Sequence, residues 1–160
     1  MDTPILYDPT KHVHLISSLA SIHVECITSP PFVIASFLPP LSLPRIEAWW
    51  TARAAEVATG SRHIIMQLAT SPETGKEELA GYVMLAMPVS ETGMFRGGVE
   101  KLLVSPRWRE KGAARRVMGL LEDIAKKEGR GLLVGEIPGN EISPVDRSLQ
   151  DEVLFHKDLR

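Results

Sequence analysis

The stretch VEKLLVSPRWREKGAARRVMGLLEDIAKK, from Val99 to Lys127, decides how the rest of this chain is interpreted. It begins with an apolar segment that predicts a strand, continues through a basic turn that contains Gly112, and ends in apolar residues at three- and four-residue spacing, which predict an amphipathic helix. A helix start exposes unpaired backbone N–H groups and the positive end of the helix dipole. The stretch therefore predicts a site for an anion such as a phosphate.

The turn also carries positive side chains, which are the wrong sign for a helix N-terminus. Each costs about 0.3–1 kcal/mol when exposed, and a bound anion would reverse that cost. The alternative interpretation is a basic face that only contacts solvent. The residues concerned are Arg107, Arg109, Lys111, Arg115 and Arg116.

Size, charge and cysteine content limit the class of protein. The 160 residues suit a single domain, 1–160, that buries about two thirds of its surface. A net charge of -2 argues against a nucleic-acid partner, because such proteins usually have a basic surface. Cys26 is the only cysteine and no secretory signal is recognised, so we expect a cytoplasmic protein without an internal disulfide. The apolar stretch from Leu79 to Val89 is far shorter than the roughly 20 residues needed to cross a bilayer, so no membrane partner is expected.

Hydrophobic periodicity and turn residues predict alternating strands and helices along the chain. The predicted strands are Ile5–Tyr7, His63–Ala69, Glu78–Pro88, Val99–Ser105, Gly131–Ile137 and Asp151–Leu159. A first helix is expected directly after Asp8-Pro9, which has the sequence of a cap followed by a first-turn proline. A second runs from about Leu43 to Thr59 with Ser42 as its cap. The third follows the basic turn.

The order of Val104-x-Pro106 at a strand end, then Arg109-x-x-Gly112-x-Ala114 at a helix start, resembles the GNAT superfamily of acetyl-coenzyme A dependent N-acetyltransferases. The segment from Val99 to Met118 is particularly similar to the branch that includes tabtoxin-resistance and similar small-molecule acetyltransferases. This resemblance implies an α/β fold with a mixed, mostly antiparallel sheet flanked by helices. The implied cofactor is acetyl-CoA, and the implied partner is a small molecule whose primary amine receives the acetyl group directly, without a covalent enzyme intermediate.

The resemblance also implies which residues bind the cofactor. Backbone N–H groups of the turn would hold the pyrophosphate of coenzyme A, and Gly112 would allow the backbone to approach it closely. The strand before the turn would line the pantetheine. The expected cofactor-binding residues are Leu102, Leu103, Val104, Arg109, Glu110, Lys111, Gly112, Ala113, Ala114 and Arg115. The family most often has glycine at the position of Glu110.

Glu100 is the predicted catalytic residue, as a general base that acts directly or through water. The alternative is an edge charge that pairs with Lys101 or solvent, and Glu91 is a weaker candidate for the base. The first two helices often flank the substrate in the family, so Trp49 and Trp50 are candidates to line an acceptor pocket. Because they are adjacent on a helix, both cannot be equally buried, and at least one is expected to lie in the core. The five histidines lack the spacing of a metal site, so none is predicted.

The C-terminal part departs from the family. Only 30 residues follow Arg130, and glycine and proline interrupt them, so we predict that the fourth helix and sixth strand are missing. In many members that helix supplies a tyrosine acid, but neither Tyr7 nor Tyr82 matches its position, so no general acid is assigned. The alternative function is therefore a catalytically impaired coenzyme A binding or dimerisation module. We expect a homodimer, with strand exchange as one way to cover the exposed sheet edge.

Overall fold

This computed structural model of the protein describes residues 1–33, 36–137, 141–142, 145–146, 149–150 and 153–160. Strands and helices alternate along the chain in the order expected of an α/β protein. The elements are β1 (Ile5–Leu6), α1 (Ile16–Thr28), α2 (Leu43–Ala58), β2 (Arg62–Thr70), β3 (Glu77–Ala86), β4 (Arg96–Val104), α3 (Ala113–Lys127), β5 (Leu132–Ile137), β6 (Glu141–Ile142), β7 (Leu149–Gln150) and β8 (Val153–Asp158).

Six of the strands form one sheet in the order β1-β2-β3-β4-β5-β8, and β6 pairs with β7 in a separate ladder. Every neighbouring pair in the large sheet is antiparallel except β4 and β5, which are parallel because α3 connects them. The expected mixed, mostly antiparallel sheet flanked by helices is confirmed.

Strands β4 and β5 pair over only part of their length. Their register runs from Arg96 opposite Leu132 to Val99 opposite Gly135, and β4 then continues to Val104 without β5 beside it. The register of β4 with β3 also shifts between Tyr82 and Met84, and Lys101 has a φ of 51° at this irregularity. Such a bulge bends the strand that carries it. The sheet therefore opens between the C-terminal ends of two adjacent strands.

The helices cover the two faces of the sheet with separate hydrophobic cores. Helices α1 and α2 lie on the face that presents Tyr82, Met84 and Leu103, whereas α3 packs on the face that presents Val83 and Val99. Since successive residues of a strand point to opposite faces, Glu100, which lies opposite Met84, is on the α1/α2 face. Trp50 is fully buried and Trp49 only partly, as expected for adjacent helical positions.

The predicted start of the first helix is wrong. The carbonyl of Asp8 accepts hydrogen bonds from the N–H groups of Lys11 and His12, and its carboxylate accepts one from Thr10 at 2.8 Å, so Asp-Pro closes a turn. The chain then makes a 3₁₀ turn before α1 begins at Ile16. The cap of α2 is confirmed, since the Ser42 hydroxyl accepts from the N–H of Arg45 at 3.4 Å.

The C-terminal part is shortened as predicted, since the described residues after Arg130 contain strands but no helix. The expected terminal strand is confirmed as β8, which pairs with β5 of the same chain from Leu132 opposite Asp158 to Ile137 opposite Val153. The outer edge of β5 is therefore covered within the chain over that range. Among the described helices, none is both long and apolar enough to span a bilayer.

Candidate functional site

The start of α3 presents open backbone donors. Gly112 precedes the helix with a φ of 84°, a left-handed conformation that side chains other than glycine rarely adopt, and no side chain caps the helix. The first N–H to bond within the helix is that of Arg116, which donates to the carbonyl of Gly112. Within the described part of the chain, the N–H groups of residues 113–115 have no acceptor. A Cβ built at Gly112 would meet nothing within 4 Å, so the space beside these donors is open.

Glu110 is exposed and has a φ of 61°. A residue other than glycine in the left-handed region costs roughly 1–2 kcal/mol. The conformation explains why glycine suits this position, and it shows that the turn keeps its shape with glutamate there.

Arg107 does not serve the open helix start. Its guanidinium donates to Oε1 of Glu78, and the indole Nε1 of Trp108 donates to the same oxygen at 2.6 Å. The hydrogen bond from Arg107 lowers the pKa of Glu78, and the one from Trp108 adds to this. These contacts join the turn to the beginning of β3.

Arg109 ties the turn to helix α1. Its guanidinium donates to the carbonyl of Pro30 and lies 3.7 Å from Sγ of Cys26, whose thiol donates to the carbonyl of Val104 at 3.4 Å. Burial raises the pKa of the Cys26 thiol. The side chain of Arg109 thus has partners within the chain. If Arg109 binds the cofactor as predicted, it does so through its backbone.

The remaining basic side chains of the turn and of α3 differ in whether they contact other residues of the chain. The ammonium of Lys111 lies 4.6 Å from the centre of the Trp108 ring, and Arg116 donates to the carbonyl of Asp2 at 3.5 Å. Arg115 is exposed in the first turn of α3, with no hydrogen bond or ion pair to any described residue. Arg115 is thus the side chain best placed to meet an anion at the helix start.

The three predicted pantetheine residues at the end of β4 face different surroundings. Leu102 is 40% exposed, Leu103 lies in the α1/α2 core, and Val104 packs against Trp108. Leu103 can therefore offer only its backbone to a ligand between β4 and β5. Leu102 has a side chain available to line that space.

Glu100 is the first residue of β4 beyond its pairing with β5. Its Oε2 accepts from Nη1 of Arg62 at 2.7 Å, and 43% of its side chain is exposed. Arg62 is only 8% exposed and also donates through Nε to Oε2 of Glu56 at 2.5 Å. Burial opposes the charge of Arg62, but the two carboxylates outweigh it and raise the pKa of Arg62. Sequence reasoning missed both Arg62 and Glu56.

A groove of about 230 Å³ begins beside Glu100. It runs along β4 to Arg96, over a floor that includes Ala86, Gly98 and Val134. Register places Ala86, Gly98 and Val134 beside one another in adjacent strands, on the α1/α2 face. The groove and the opening between β4 and β5 therefore meet at Glu100.

The two tyrosines are enclosed. The phenol of Tyr82 donates to the carbonyl of Leu19 at 3.0 Å, and burial raises its pKa well above the usual value. Tyr7 is also buried, and burial followed by the charge of Asp8 raises its pKa. Since these are the two tyrosines of the sequence, neither can reach the opening as an acid. Among the described residues, no three acidic, histidine or cysteine side chains are grouped to bind a metal.

Residues 32–141 match the Acetyltransferase (GNAT) family. This range holds α2, the basic turn, α3 and the strands β2 to β5. Because the match covers more than half of the 160 residues, the chain belongs to the GNAT acetyltransferase family.

Solved structures of other acetyltransferases have the same fold. The yncA protein of Salmonella typhimurium, in complex with its cofactor acetyl-CoA, matches 99% of this chain over 95% of its own, with a TM-score of 0.66 and 12% identity. An N-acetyltransferase from Staphylococcus aureus Mu50 matches 99% of this chain over 100% of its own, with a TM-score of 0.70 and 14% identity. An aminoglycoside 6'-N-acetyltransferase complexed with coenzyme A matches 83% of this chain over 60% of its own, with a TM-score of 0.56 and 14% identity. At such low identities the likeness shows a shared fold.

Proposed function

We propose that this protein transfers the acetyl group of acetyl-CoA to a primary amine of a small molecule. The observation that carries the proposal is the position of Glu100, a partly exposed carboxylate at the point where β4 and β5 separate. The opening between the two strands begins at this carboxylate, and the helix start with free N–H groups follows β4 along the chain. Family membership supports acetyl transfer as the class of reaction.

The residues at the start of α3 fit a pyrophosphate. The N–H groups of residues 113–115 are open, Gly112 leaves room beside them, and Arg115 is available to pair with an anion. The proposed cofactor contacts are the turn from Arg109 to Arg115, Leu102 through its side chain, and Leu103 and Val104 through their backbone. Two similar structures hold acetyl-CoA or coenzyme A, which supports the same cofactor here. When bound, it supplies an acetyl group activated as a thioester.

Glu100 is the proposed general base. One carboxylate oxygen is held by Arg62, and the side chain remains exposed enough to take a proton from an incoming ammonium, directly or through water. Beyond Val99, the edge of β4 that faces the opening has no strand partner among the described residues. A backbone N–H group that points from this edge into the opening would donate to an acyl carbonyl placed there.

Direct transfer suits the remaining side chains. Cys26, the only thiol of the chain, is buried with a raised pKa, and both tyrosines are enclosed. No covalent step through a thiol is therefore proposed, and no side chain is assigned to protonate the leaving thiolate.

Cofactor binding is tested by thermal shift with acetyl-CoA. A ligand at a hundred times its dissociation constant stabilises the folded state by about 2.7 kcal/mol, so we expect a clear rise in Tm. Gly112→Glu should abolish the rise, since it places a carboxylate beside the open N–H groups. No shift with millimolar acetyl-CoA would contradict the proposed cofactor.

Gly129→Ala is the matched control for Gly112→Ala. Both glycines have positive φ, 73° and 84°, and in both a Cβ would meet nothing within 4 Å. Each substitution should cost roughly 1 kcal/mol of stability through backbone strain. Only the change at Gly112 should weaken coenzyme A binding, and equal affinities in the two variants would place the site elsewhere.

Transfer itself is tested by release of coenzyme A thiol over a panel of amines. Glu100→Gln should lower kcat at least a hundredfold while acetyl-CoA affinity stays unchanged. The control Glu77→Gln alters an exposed carboxylate of β3 and should retain full activity. Acetyl-CoA binding with no thiol release from any amine would favour the alternative function, a coenzyme A binding module.

The homodimer stays a proposal. The pairing of β8 with β5 within one chain covers the sheet edge without exchange of strands. Sedimentation at micromolar concentration should show twice the 17.7 kDa mass of one chain. A stable monomer would rule the dimer out.

A further inference from the structure

The groove beside Glu100 carries opposite charges at its two ends. Arg96, Gly98 and Glu100 occupy every second position of β4, so all three lie on the α1/α2 face of the sheet. Four residues of strand separate the backbones of Arg96 and Glu100 by about 13 Å. Gly98 lies between them and has no side chain, which leaves the space along the strand open.

Both charged groups are able to accept a ligand. Arg96 is exposed, its guanidinium lies 5.7 Å from the centre of the Phe95 ring, and it makes no ion pair with any carboxylate in the described ranges. At Glu100, the described part of the chain provides a hydrogen bond to Oε2 and none to Oε1. An anionic group of a ligand is thus favoured at Arg96, and a cationic group is favoured at Glu100.

The surface between the two ends is small and apolar. Ala86 and Val134 flank Gly98 in the neighbouring strands, and Pro88 adds to the lining. The described residues of this surface accommodate a short carbon chain and offer it no charged partner. A diamine would place its second ammonium near Arg96, where the like charges repel.

We propose that this groove binds the acceptor, and that the acceptor is a zwitterionic amine of about dipeptide length. Its ammonium lies at Glu100, beside the opening between β4 and β5, and its anionic group lies at Arg96. Two residues span at most about 7 Å, and the rest of the distance between the two backbones is within the length of a glutamate and an arginine side chain. This inference rests on the proposed acetyl transfer, because it identifies the ammonium at Glu100 as the acceptor nitrogen.

The test measures equilibrium binding by calorimetry in the presence of coenzyme A, without turnover. Three matched probes separate the charges: alanyl-alanine has both, alanyl-alanine amide has only the ammonium, and N-acetyl-alanyl-alanine has only the carboxylate. Alanyl-alanine should bind at least tenfold more tightly than either of the others. In Arg96→Met the dipeptide and its amide should bind equally.

Two further variants address the shape of the groove and the specificity of the arginine. Gly98→Val fills the space between the charges, so it should weaken dipeptide binding at least tenfold while coenzyme A affinity is retained. A Cβ at Gly98 meets only ordinary contacts with Ala86 at 3.4 Å or more, so the variant should fold. Arg45→Met is the matched control, since Arg45 is an exposed arginine that stacks on Phe37 at 5.6 Å outside the groove. It should leave dipeptide affinity unchanged.

Equal affinity of the wild-type protein for the dipeptide and its amide would overturn the inference. So would discrimination that persists in Arg96→Met. Different results would contradict the proposed function. Selective dipeptide binding without any thiol release would contradict the transfer reaction. Transfer to diamines and amides at the rate seen with dipeptides would contradict only the zwitterionic acceptor.

Discussion

The two faces of the sheet are built from different side chains. The α3 face is aliphatic, and Leu85, Val117 and Leu121 are fully buried in it. The α1/α2 face instead buries rings, with Trp50 in edge-on contact with Tyr82 at 4.8 Å. Glu100 and its partner Arg62 also lie on the α1/α2 face.

His23 is a second feature that distinguishes the α1/α2 face from the α3 face. It is fully buried among Phe37, Trp49 and Trp50, and neither ring nitrogen has a hydrogen-bond partner in the described structure. Burial lowers the pKa of His23 to about 4, and the positive charge of Lys101 acts in the same direction. The α1/α2 face thus buries a histidine whose protonation the folded state opposes, whereas the described core of the α3 face is built from apolar side chains.

The largest effect on stability is expected from Trp50→Ala. The loss of a fully buried aromatic side chain should lower the free energy of unfolding by about 3–5 kcal/mol, against about 2–5 kcal/mol for Leu121→Ala on the other face. Urea unfolding at pH 7 measures both. Val89→Ala, at a position 83% exposed, is the control and should change stability by no more than about 0.5 kcal/mol. A smaller loss for Trp50 than for Leu121 would contradict the comparison.

The next effect is the pH dependence assigned to His23. The folded-state pKa of about 4 lies below the ordinary 6.5, so the unfolded state binds a proton that the folded state does not. This contribution to stability is complete above pH 6.5 and falls by about 3 kcal/mol as the pH drops to 4. His23→Phe should remove this part of the slope between pH 7 and pH 4 in urea unfolding.

Two variants serve as controls for this prediction. Leu121→Ala lowers stability on the α3 face but should retain the slope, and so should His14→Gln at an exposed histidine. If His23→Phe unfolds with the wild-type pH dependence, His23 is not the group responsible.

A smaller effect is expected from Arg62→Met. The substitution removes hydrogen bonds to two carboxylates, and each charge-assisted bond contributes about 1.5–3 kcal/mol at most. Glu100 is 43% exposed and can be solvated after the change, so we expect a total loss of about 1.5–3 kcal/mol. Urea unfolding measures the loss, and a pH–rate profile that shifts relative to wild type would show that Arg62 also positions the base. An unchanged profile would limit Arg62 to stability.

The smallest effect concerns the surface pair of Arg107 and Glu78. More than half of the Arg107 side chain is exposed, and surface ion pairs add little because solvent and salt screen them. Arg107→Gln should leave the Tm unchanged at 50 mM and at 500 mM salt. A large loss of Tm at low salt would mean that the turn depends on this pair.

Periodicity predicted the elements with long, regular patterns. The predicted helix from about Leu43 to Thr59 is α2 from Leu43 to Ala58, because its cap and its apolar spacing are both local signals. The Asp8-Pro9 start was wrong because the same local signal also forms an isolated turn. Only packing further along the chain decides between these outcomes.

The site was predictable where its chemistry lies in one segment. Gly112 and Glu100 both belong to the stretch that identified the family, although their roles remain predictions. Arg62 was not predictable, because its pairing with Glu100 joins residues 38 positions apart and depends on the register of β2, β3 and β4. The left-handed backbone conformation of Lys101 was not predictable either, since a lysine gives no sequence signal for a bulge.

The partial pairing of β4 gives the sheet an edge in its interior. Beyond Val99, one side of β4 is bonded to β3 and the other side faces the opening. Amide hydrogens that point to β3 are protected from exchange with solvent, whereas those that point to the opening exchange quickly. Protection should therefore differ between neighbouring residues at the end of β4. A ligand seated between the strands would slow the fast amides and act as the missing neighbour of the sheet.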